Sequence, residues 1–336
     1  MVHVVLDAMG GDNAPEEIVK GALSALSDSE SIKITLCGRQ QDIKDALTGK
    51  DYPSDRLFIE NAEEVISTEE APVMAIRRKK DSSIVKGLAL VKEKKADAFV
   101  SAGSSGAILV GGQLIVGRIR GVERPPLAPL IPSTTEKGVS LIIDCGANVD
   151  ARSSHLVQFA KMGSIYMEHV IGVKNPKVAI VNIGAEEEKG NMLVKETFPL
   201  LKNCPDINFI GSIEAREIPN GGADVIVCEA FVGNVILKMY EGVGKMMLKT
   251  IKEALMSSFT GKLGGLLIKP SLKGVMKTFD ATEYGGAPLL GLNGLVVKVH
   301  GNATSKEISN AIKQCETFKT QNISQRIADR IIIKDE

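Results

Sequence analysis

Four short turns combine glycine with carboxylate, amide or hydroxyl groups: Asp7-Ala8-Met9-Gly10-Gly11-Asp12, Ser101-Ala102-Gly103-Ser104-Ser105-Gly106, Asp144-Cys145-Gly146-Ala147-Asn148 and Asn182-Ile183-Gly184-Ala185-Glu186. Each follows an apolar run that reads as a buried strand. Phe231-Val232-Gly233-Asn234 and Tyr284-Gly285-Gly286-Ala287-Pro288 lie farther along. Glycine lets main-chain N–H groups approach a ligand closely, and a helix start supplies more of them. Such loops at strand ends suit one polar, anionic ligand. The set contains no obvious nucleophile.

Ser101, Gly103, Ser104, Ser105 and Gly106 form the most suggestive loop, with main-chain N–H groups and two hydroxyls able to cradle a phosphate. Read structurally, the same residues make a strand–turn–helix junction with a serine cap. Asp7, Gly10, Gly11 and Asp12 place two carboxylates around a tight turn; they can bind a metal, orient a cation or simply close an Asx-type turn. Asp144 and Asn148 suit a ligand contact or a loop anchor. Cys145 between them is either a thiolate nucleophile or a small buried hydrophobe.

Asn182, Gly184 and Glu186 precede Lys189, a cation able to neutralise a bound anion. The acids Glu186, Glu187 and Glu188 also suit a helix start, where they complement the macrodipole. Gly233 and Asn234, with Lys238 one helical turn later, repeat the pattern of backbone donor plus cation. Of four histidines, His300 is the candidate acid or base, because His300-Gly301 follows the last strand. The catalytic candidates are therefore Lys189, Asn234, Lys238 and His300.

The elements that must hold these loops alternate. Strands are expected at 2–6, 32–37, 57–59, 98–101, 140–143, 177–181, 207–210, 225–228 and 295–299, and helices at 15–26, 82–94, 154–170, 189–201, 235–255 and 306–328. Short apolar strands between helices predict a three-layer α/β/α arrangement around a mainly parallel central sheet. The 336 residues read as a single catalytic domain, or as two lobes joined near Arg124-Pro125-Pro126.

Lys and Arg together equal Asp and Glu at 41 each, so no global field draws nucleic acid. Two local basic runs remain, Arg77-Arg78-Lys79-Lys80 and Arg118-Ile119-Arg120, which are either solvated faces or a landing site for an acidic macromolecule. Residues 245–279 hold seven lysines and one acid, with Leu248, Ile251, Leu255 and Phe259 as an apolar stripe and a break expected at Gly264-Gly265. A basic amphipathic hairpin of this kind suits an anionic membrane surface or a dimer interface. Five cysteines without a C-x-x-C pair, and no signal peptide, fit a reducing cytoplasm. Neither a Walker loop nor a Gly-x-Gly-x-x-Gly fingerprint is present.

Taken in order, Asp7–Pro15, Arg77-Arg78-Lys79-Lys80-Asp81-Ser82-Ser83, Ile115-Val116-Gly117-Arg118-Ile119, Gly146-Ala147-Asn148-Val149-Asp150, Asn208-Phe209-Ile210-Gly211 and Tyr284–Pro288 resemble the phosphate acyltransferases of bacterial phospholipid synthesis over nearly the whole chain. There are two departures. Ser104 and Ser105 stand where that family commonly has Asn-Thr, and Cys228-Glu229-Ala230-Phe231 stands for its Thr-Asp-Gly-Phe.

The resemblance implies transfer of a long-chain fatty acyl group from an acyl-carrier-protein thioester to inorganic phosphate, with no cofactor. It implies a fold like phosphate acetyltransferases and isocitrate dehydrogenases. It further implies a cytoplasmic homodimer on the inner membrane surface, feeding a membrane glycerol-3-phosphate acyltransferase. Arg77, Arg78, Lys79, Lys80, Arg118 and Arg120 would then receive the carrier protein. The alternatives are a phosphate acetyltransferase using short-chain acyl-coenzyme A, a metal-dependent hydroxyacid dehydrogenase and a non-enzymatic membrane-surface scaffold.

Overall fold

The computed structural model describes residues 1–278 and 285–332, and the side chains of all these except 269–278 and Ile332. Tyr284 of the last glycine loop, and the side chains of Lys269, Lys273 and Lys277 in the basic hairpin, lie outside the described residues.

Nine expected strands are joined by two short edge strands. Together they make two sheets where one central sheet was expected. The first contains β1 (Val2–Asp7), β2 (Ile32–Gly38), β3 (Leu57–Asn61), β4 (Ala98–Ser101), β10 (Ala287–Leu289) and β11 (Leu295–Lys298), in the order β10-β11-β4-β1-β2-β3. The second contains β5 (Leu130–Pro132), β6 (Val139–Ile143), β7 (Lys177–Val181), β8 (Asn208–Ile213) and β9 (Val225–Val227), in the order β5-β6-β9-β7-β8. Among the strands of the described residues, only β10 and β5, each three residues long, pair antiparallel. The α/β class and the dominance of parallel pairing hold.

Helices cover both sheets: α1 (Glu16–Asp28), α2 (Gln40–Leu47), α3 (Pro72–Arg78), α4 (Ser83–Lys92), α5 (Ser105–Gly111), α6 (Ser153–Tyr166), α7 (Met192–Lys202), α8 (Ala230–Met256), α9 (Phe259–Thr278), α10 (Ser305–Thr320) and α11 (Ile323–Ile332). One apolar cluster contains Leu36 of β2 and Ile312 of α10, which packs on the first sheet, together with Phe159 of α6 and Val225 of β9 in the second, so the sheets share a core. There the hydroxyl of the fully buried Tyr166 accepts a bond from Gln314 Nε2 at 2.6 Å, joining α6 to α10.

Several boundaries differ from expectation for local reasons. The helix expected from Lys189 begins at Met192, because the Asn191 side chain caps Val194 N–H at 2.9 Å. Glu186, Glu187 and Glu188 therefore lie in a loop, clear of the helix start. The helix expected at 306–328 is two helices, parted where Asn322 takes a positive φ of 53°. The break expected at Gly264-Gly265 falls instead at Ser257-Ser258, and α9 runs through both glycines.

The chain steps from β1 to β2 and β3 on one side, then returns to place β4 on the other. That makes the carboxyl ends of β1 and β4 a topological switch point, where open α/β sheets hold their ligands. Asp7 and Ser101 are the last residues of those two strands.

Candidate functional site

The carboxyl edge of the first sheet is built around a buried carboxylate. Ser101 Oγ donates to Asp7 Oδ2 at 2.6 Å, and Gly103 N–H donates to Ser101 Oγ at 2.9 Å. Met9 N–H reaches Asp7 Oδ1 at 3.2 Å, and the hydroxyl of Ser83, at the start of α4, is a further donor. Burial pushes the Asp7 carboxyl above its ordinary range against these donors. Both glycines of the first loop are required by close approach. A Cβ on Gly10 would stand 2.3 Å from Asp7 Oδ2, and Gly11, at φ +93°, would bring one to 2.7 Å from the carbonyl oxygen of Gly301. Asp12 N–H donates to that same carbonyl at 2.7 Å, which ties the first loop to His300-Gly301; the Asp12 side chain is exposed.

Ser104 is buried and caps α5 through Ala107 N–H at 3.4 Å, while Ser105 is exposed and Gly106 half-buried at the helix start. Gly106 packs against Pro72, so α3, with Arg77 and Arg78 exposed at its end, lies beside this loop. Lys79 is engaged by Glu70 and by the Val65 carbonyl oxygen, each at 2.7 Å, and Lys80 Nζ reaches the Ile76 carbonyl at 3.2 Å. Arg120 is exposed, and Arg118 bonds the Glu123 carbonyl. His300 is exposed, and its main-chain N–H donates to the buried carboxylate of Glu307 at 3.0 Å.

The second sheet contributes the Asp144 loop. Asp144 is fully buried and accepts bonds from the N–H groups of Leu127, Gly146, Ala147 and Asn148, and from Asn148 Nδ2 at 2.7 Å. Asn148 Nδ2 also reaches the Pro125 carbonyl at 3.0 Å. Asp144 and Asn148 thus spend their side chains on shaping the loop. Ala147 and Leu127 pack against an apolar cluster that contains Ile108 of α5 and Leu289 of β10, which sets this loop against the first sheet.

Glu229, the departure from the family pattern, caps α8 by accepting from Val232 N–H at 2.9 Å and Phe231 N–H at 2.5 Å. The longer carboxylate therefore starts the helix that carries Asn234 and Lys238. Gly233 lets that helix approach the Asp144 loop: a Cβ there would meet the Asp144 carbonyl oxygen at 1.9 Å. Asn234 and Lys238 are exposed, and Lys238 Nζ pairs with Glu241 at 3.0 Å.

The Asn182 loop is held by its own sheet. Asn182 Nδ2 donates to the Lys189 carbonyl and to Ser212 Oγ of β8, and its Oδ1 accepts from Ile183 N–H. Lys189 pairs with Glu186 at 2.8 Å on the surface, beside Gly184, and that bond pushes its amine above the ordinary range. Both sulfurs near the second edge are buried. Burial pushes the Cys145 and Cys228 thiols well up, so neither is a thiolate.

One residue absent from the sequence reading belongs here. Lys298 ends β11, in register with Ser101, and its Nζ donates to the Ala102 carbonyl at 3.3 Å and to the Val299 carbonyl. Burial is the main cause pulling its amine down to about 8; Glu307, Asp7 and Asp12 oppose the shift, and the charge of Lys238 adds to it. The available signal was a lysine inside an otherwise apolar strand, Leu295-Val296-Val297-Lys298-Val299. Among the described residues no group of three or more His, Cys, Asp or Glu side chains is arranged to hold a metal ion.

Two mostly parallel sheets covered by helices define an α/β fold shared with phosphotransacetylases. A phosphotransacetylase from Streptococcus pyogenes superposes with a TM-score of 0.61 at 17% identity, covering 95% of this chain and 94% of that one. The EutD phosphotransacetylase of Staphylococcus aureus gives 0.57 at 18%, covering 94% of each. Sequence then narrows the class. A family model described as a fatty acid synthesis protein matches residues 2–326. Phosphate acyltransferase from Clostridium tetani is 49% identical over 331 residues, 98% of each chain. Phosphate acyltransferase from Alkaliphilus oremlandii is 51% identical over 330 residues, 98% of this chain and 97% of that one. The chain belongs to this fatty acid synthesis protein family, with phosphate acyltransferases among its relatives, and is an acyltransferase of that kind.

Proposed function

We propose that this protein moves a long-chain fatty acyl group from an acyl-carrier-protein thioester to inorganic phosphate, releasing the carrier thiol and an acyl phosphate. What supports the reading is that, among the described residues, neither the sulfurs nor the strand-end serine at these edges is available as an activated nucleophile, while the Lys298 amine lies against the Ser101–Gly106 loop. Cys145 and Cys228 are buried thiols, and Ser101 is committed to Asp7. Phosphate is then the nucleophile. A phosphate oxygen forms the new bond to the carbonyl carbon, the carbon–sulfur bond breaks, and the phosphate proton ends on the leaving sulfur. The protein's work is to hold a dianion beside a thioester and stabilise the oxyanion that develops. In this reading the N–H groups of Ser105 and Gly106, with Lys238 and Asn234, receive phosphate. Lys189 and His300 flank the site. Asp7, Gly10, Gly11, Asp144, Asn148, Asn182 and Gly233 shape it.

A greasy acyl chain and a membrane-surface product are favoured by an exposed apolar ridge on α8. Phe231, Val235, Met239, Val243, Met247 and Ile251 follow one another at i, i+4 spacing, all exposed, from the site outward. The α8–α9 hairpin would lie on the inner membrane surface or against a second copy, beside a membrane glycerol-3-phosphate acyltransferase that uses the product. No helix among the described residues is long and apolar enough to cross a membrane. Arg77, Arg78, Arg118 and Arg120 would receive the acidic carrier protein.

The alternative, a phosphate acetyltransferase-like enzyme using short-chain acyl-coenzyme A, rests on the fold neighbours. The test incubates purified protein with acyl-carrier-protein thioester or acyl-coenzyme A, with and without phosphate, and follows free thiol and hydroxylamine-trapped acyl phosphate. Turnover needing both phosphate and the carrier protein supports the proposal. Equal turnover with short-chain acyl-coenzyme A supports the alternative.

A further inference from the structure

Lys298 is a half-buried cation at the carboxyl edge of the first sheet. Its position is fixed by three independent contacts. The β11–β4 register places it beside Ser101, which itself bonds Asp7. Its amine lies against the Ser101–Gly106 loop through the Ala102 carbonyl. Its second bond goes to the carbonyl of Val299. Both acceptors are neutral, and an ammonium has three donors. One N–H therefore remains without an acceptor among the described residues. The helix that starts at the Asp144 loop brings Lys238 close enough for its charge to act on this amine.

Resting on the phosphate acyl transfer reading above, we propose that Lys298 grips the phosphate dianion from the first sheet, opposite Lys238 from the second, and so is the substrate-touching cation that sets phosphate affinity. An ammonium is a compact point charge and a strong partner for a phosphoryl oxygen. A desolvated one gains more from an arriving anion than a surface lysine does, because water screens it less. The carboxylate most exposed to repulsion from the dianion, Asp7, is pushed by burial toward its protonated form. A purely packing lysine would bury its stem and send its amine to solvent; this one turns its amine back onto the loop.

The groups facing Lys298 are Asp7 on β1, Asp12 in the first loop, Glu307 on α10 and Lys238 on α8. Its amine titrates near pH 8 in the free site. A bound dianion favours the ammonium, so binding above that pH draws a proton onto Lys298, and phosphate affinity falls as pH rises through about 8.

The experiment titrates inorganic phosphate into the intact protein by calorimetry, in two buffers of different ionisation heat at about pH 8.5. Wild-type protein is expected to take up a fraction of a proton. Lys298→Met should bind phosphate at least about tenfold more weakly, without uptake and with the thioester KM unchanged. Lys298→Arg, whose guanidinium never deprotonates, should keep affinity within about threefold and lose the uptake. Equal phosphate affinity in Lys298→Met, or uptake that survives in Lys298→Arg, overturns the assignment. If Lys298→Met fails to fold, Lys298→Arg decides alone. Failure of wild-type protein to make acyl phosphate removes the transferase reading as well; full wild-type turnover with an unaltered Lys298→Met removes only Lys298.

Discussion

Ser101 Oγ stands 2.6 Å from Asp7 Oδ2, joining the last residues of two adjacent parallel strands. The bond makes the switch point of the first sheet a fixed platform. Ser101 shapes the loop above it, because its oxygen also receives Gly103 N–H.

Ser101→Ala removes a donor from a buried carboxylate and should cost about 1–3 kcal/mol. The pH dependence has a definite sign. Burial raises the folded-state pKa of Asp7, so the stability tied to its protonated form is present at low pH and lost as pH rises through that raised value. Loss of the Ser101 bond raises the folded value further. Thermal unfolding should therefore separate wild type and variant more at pH 8 than at pH 4; an equal gap at both would contradict this role.

Gly233→Ala forces a Cβ to 1.9 Å from the Asp144 carbonyl oxygen, and backbone on both sides cannot yield cheaply. We expect a loss of about 3 kcal/mol in urea unfolding, together with a fall in activity as α8 shifts Asn234 and Lys238. Gly242→Ala, with open space around it in the same helix, should instead stabilise by about 0.5–1 kcal/mol. Similar effects at the two positions would refute the packing argument.

Much of this arrangement is legible in the sequence. Asp7, Ser101, Asp144 and Asn182 each sit where an apolar run meets glycine, and all four lie at the carboxyl ends of their strands. The use of their side chains is not legible, because Asp144 and Asn182 form most of their bonds with loop groups whose geometry no periodicity encodes. The edge strands β5 and β10 were not legible, because each is three residues long and two of the six residues are proline. Lys298 escaped because a lone lysine at a strand end reads as a solvated terminus. The true start of α7 escaped because three glutamates mimic a first turn, while Asn191, the actual cap, follows Gly190.

Cys145→Ala should keep kcat within about threefold of wild type, since a buried, protonated thiol takes no part in the displacement. Mass spectrometry of a quenched reaction should find no acylated protein. A stoichiometric acyl adduct on Cys145 would contradict direct attack by phosphate.

Reversal of the exposed pair Arg77 and Arg78 to glutamate should lower kcat/KM for the carrier-protein thioester by about tenfold at low salt, leaving the phosphate KM unchanged. The deficit should shrink as salt is raised. A salt-independent loss, or an equal loss with acyl-coenzyme A, would remove α3 from the carrier-docking surface.

The central claim concerns the origin of one oxygen atom. Reaction of the thioester with phosphate labelled throughout with heavy oxygen, trapped before hydrolysis, should give acyl phosphate that keeps every phosphate label, with one thiol released per product and none without phosphate. Thiol release that proceeds without phosphate, or an acylated protein that forms before phosphate is added, would contradict the account.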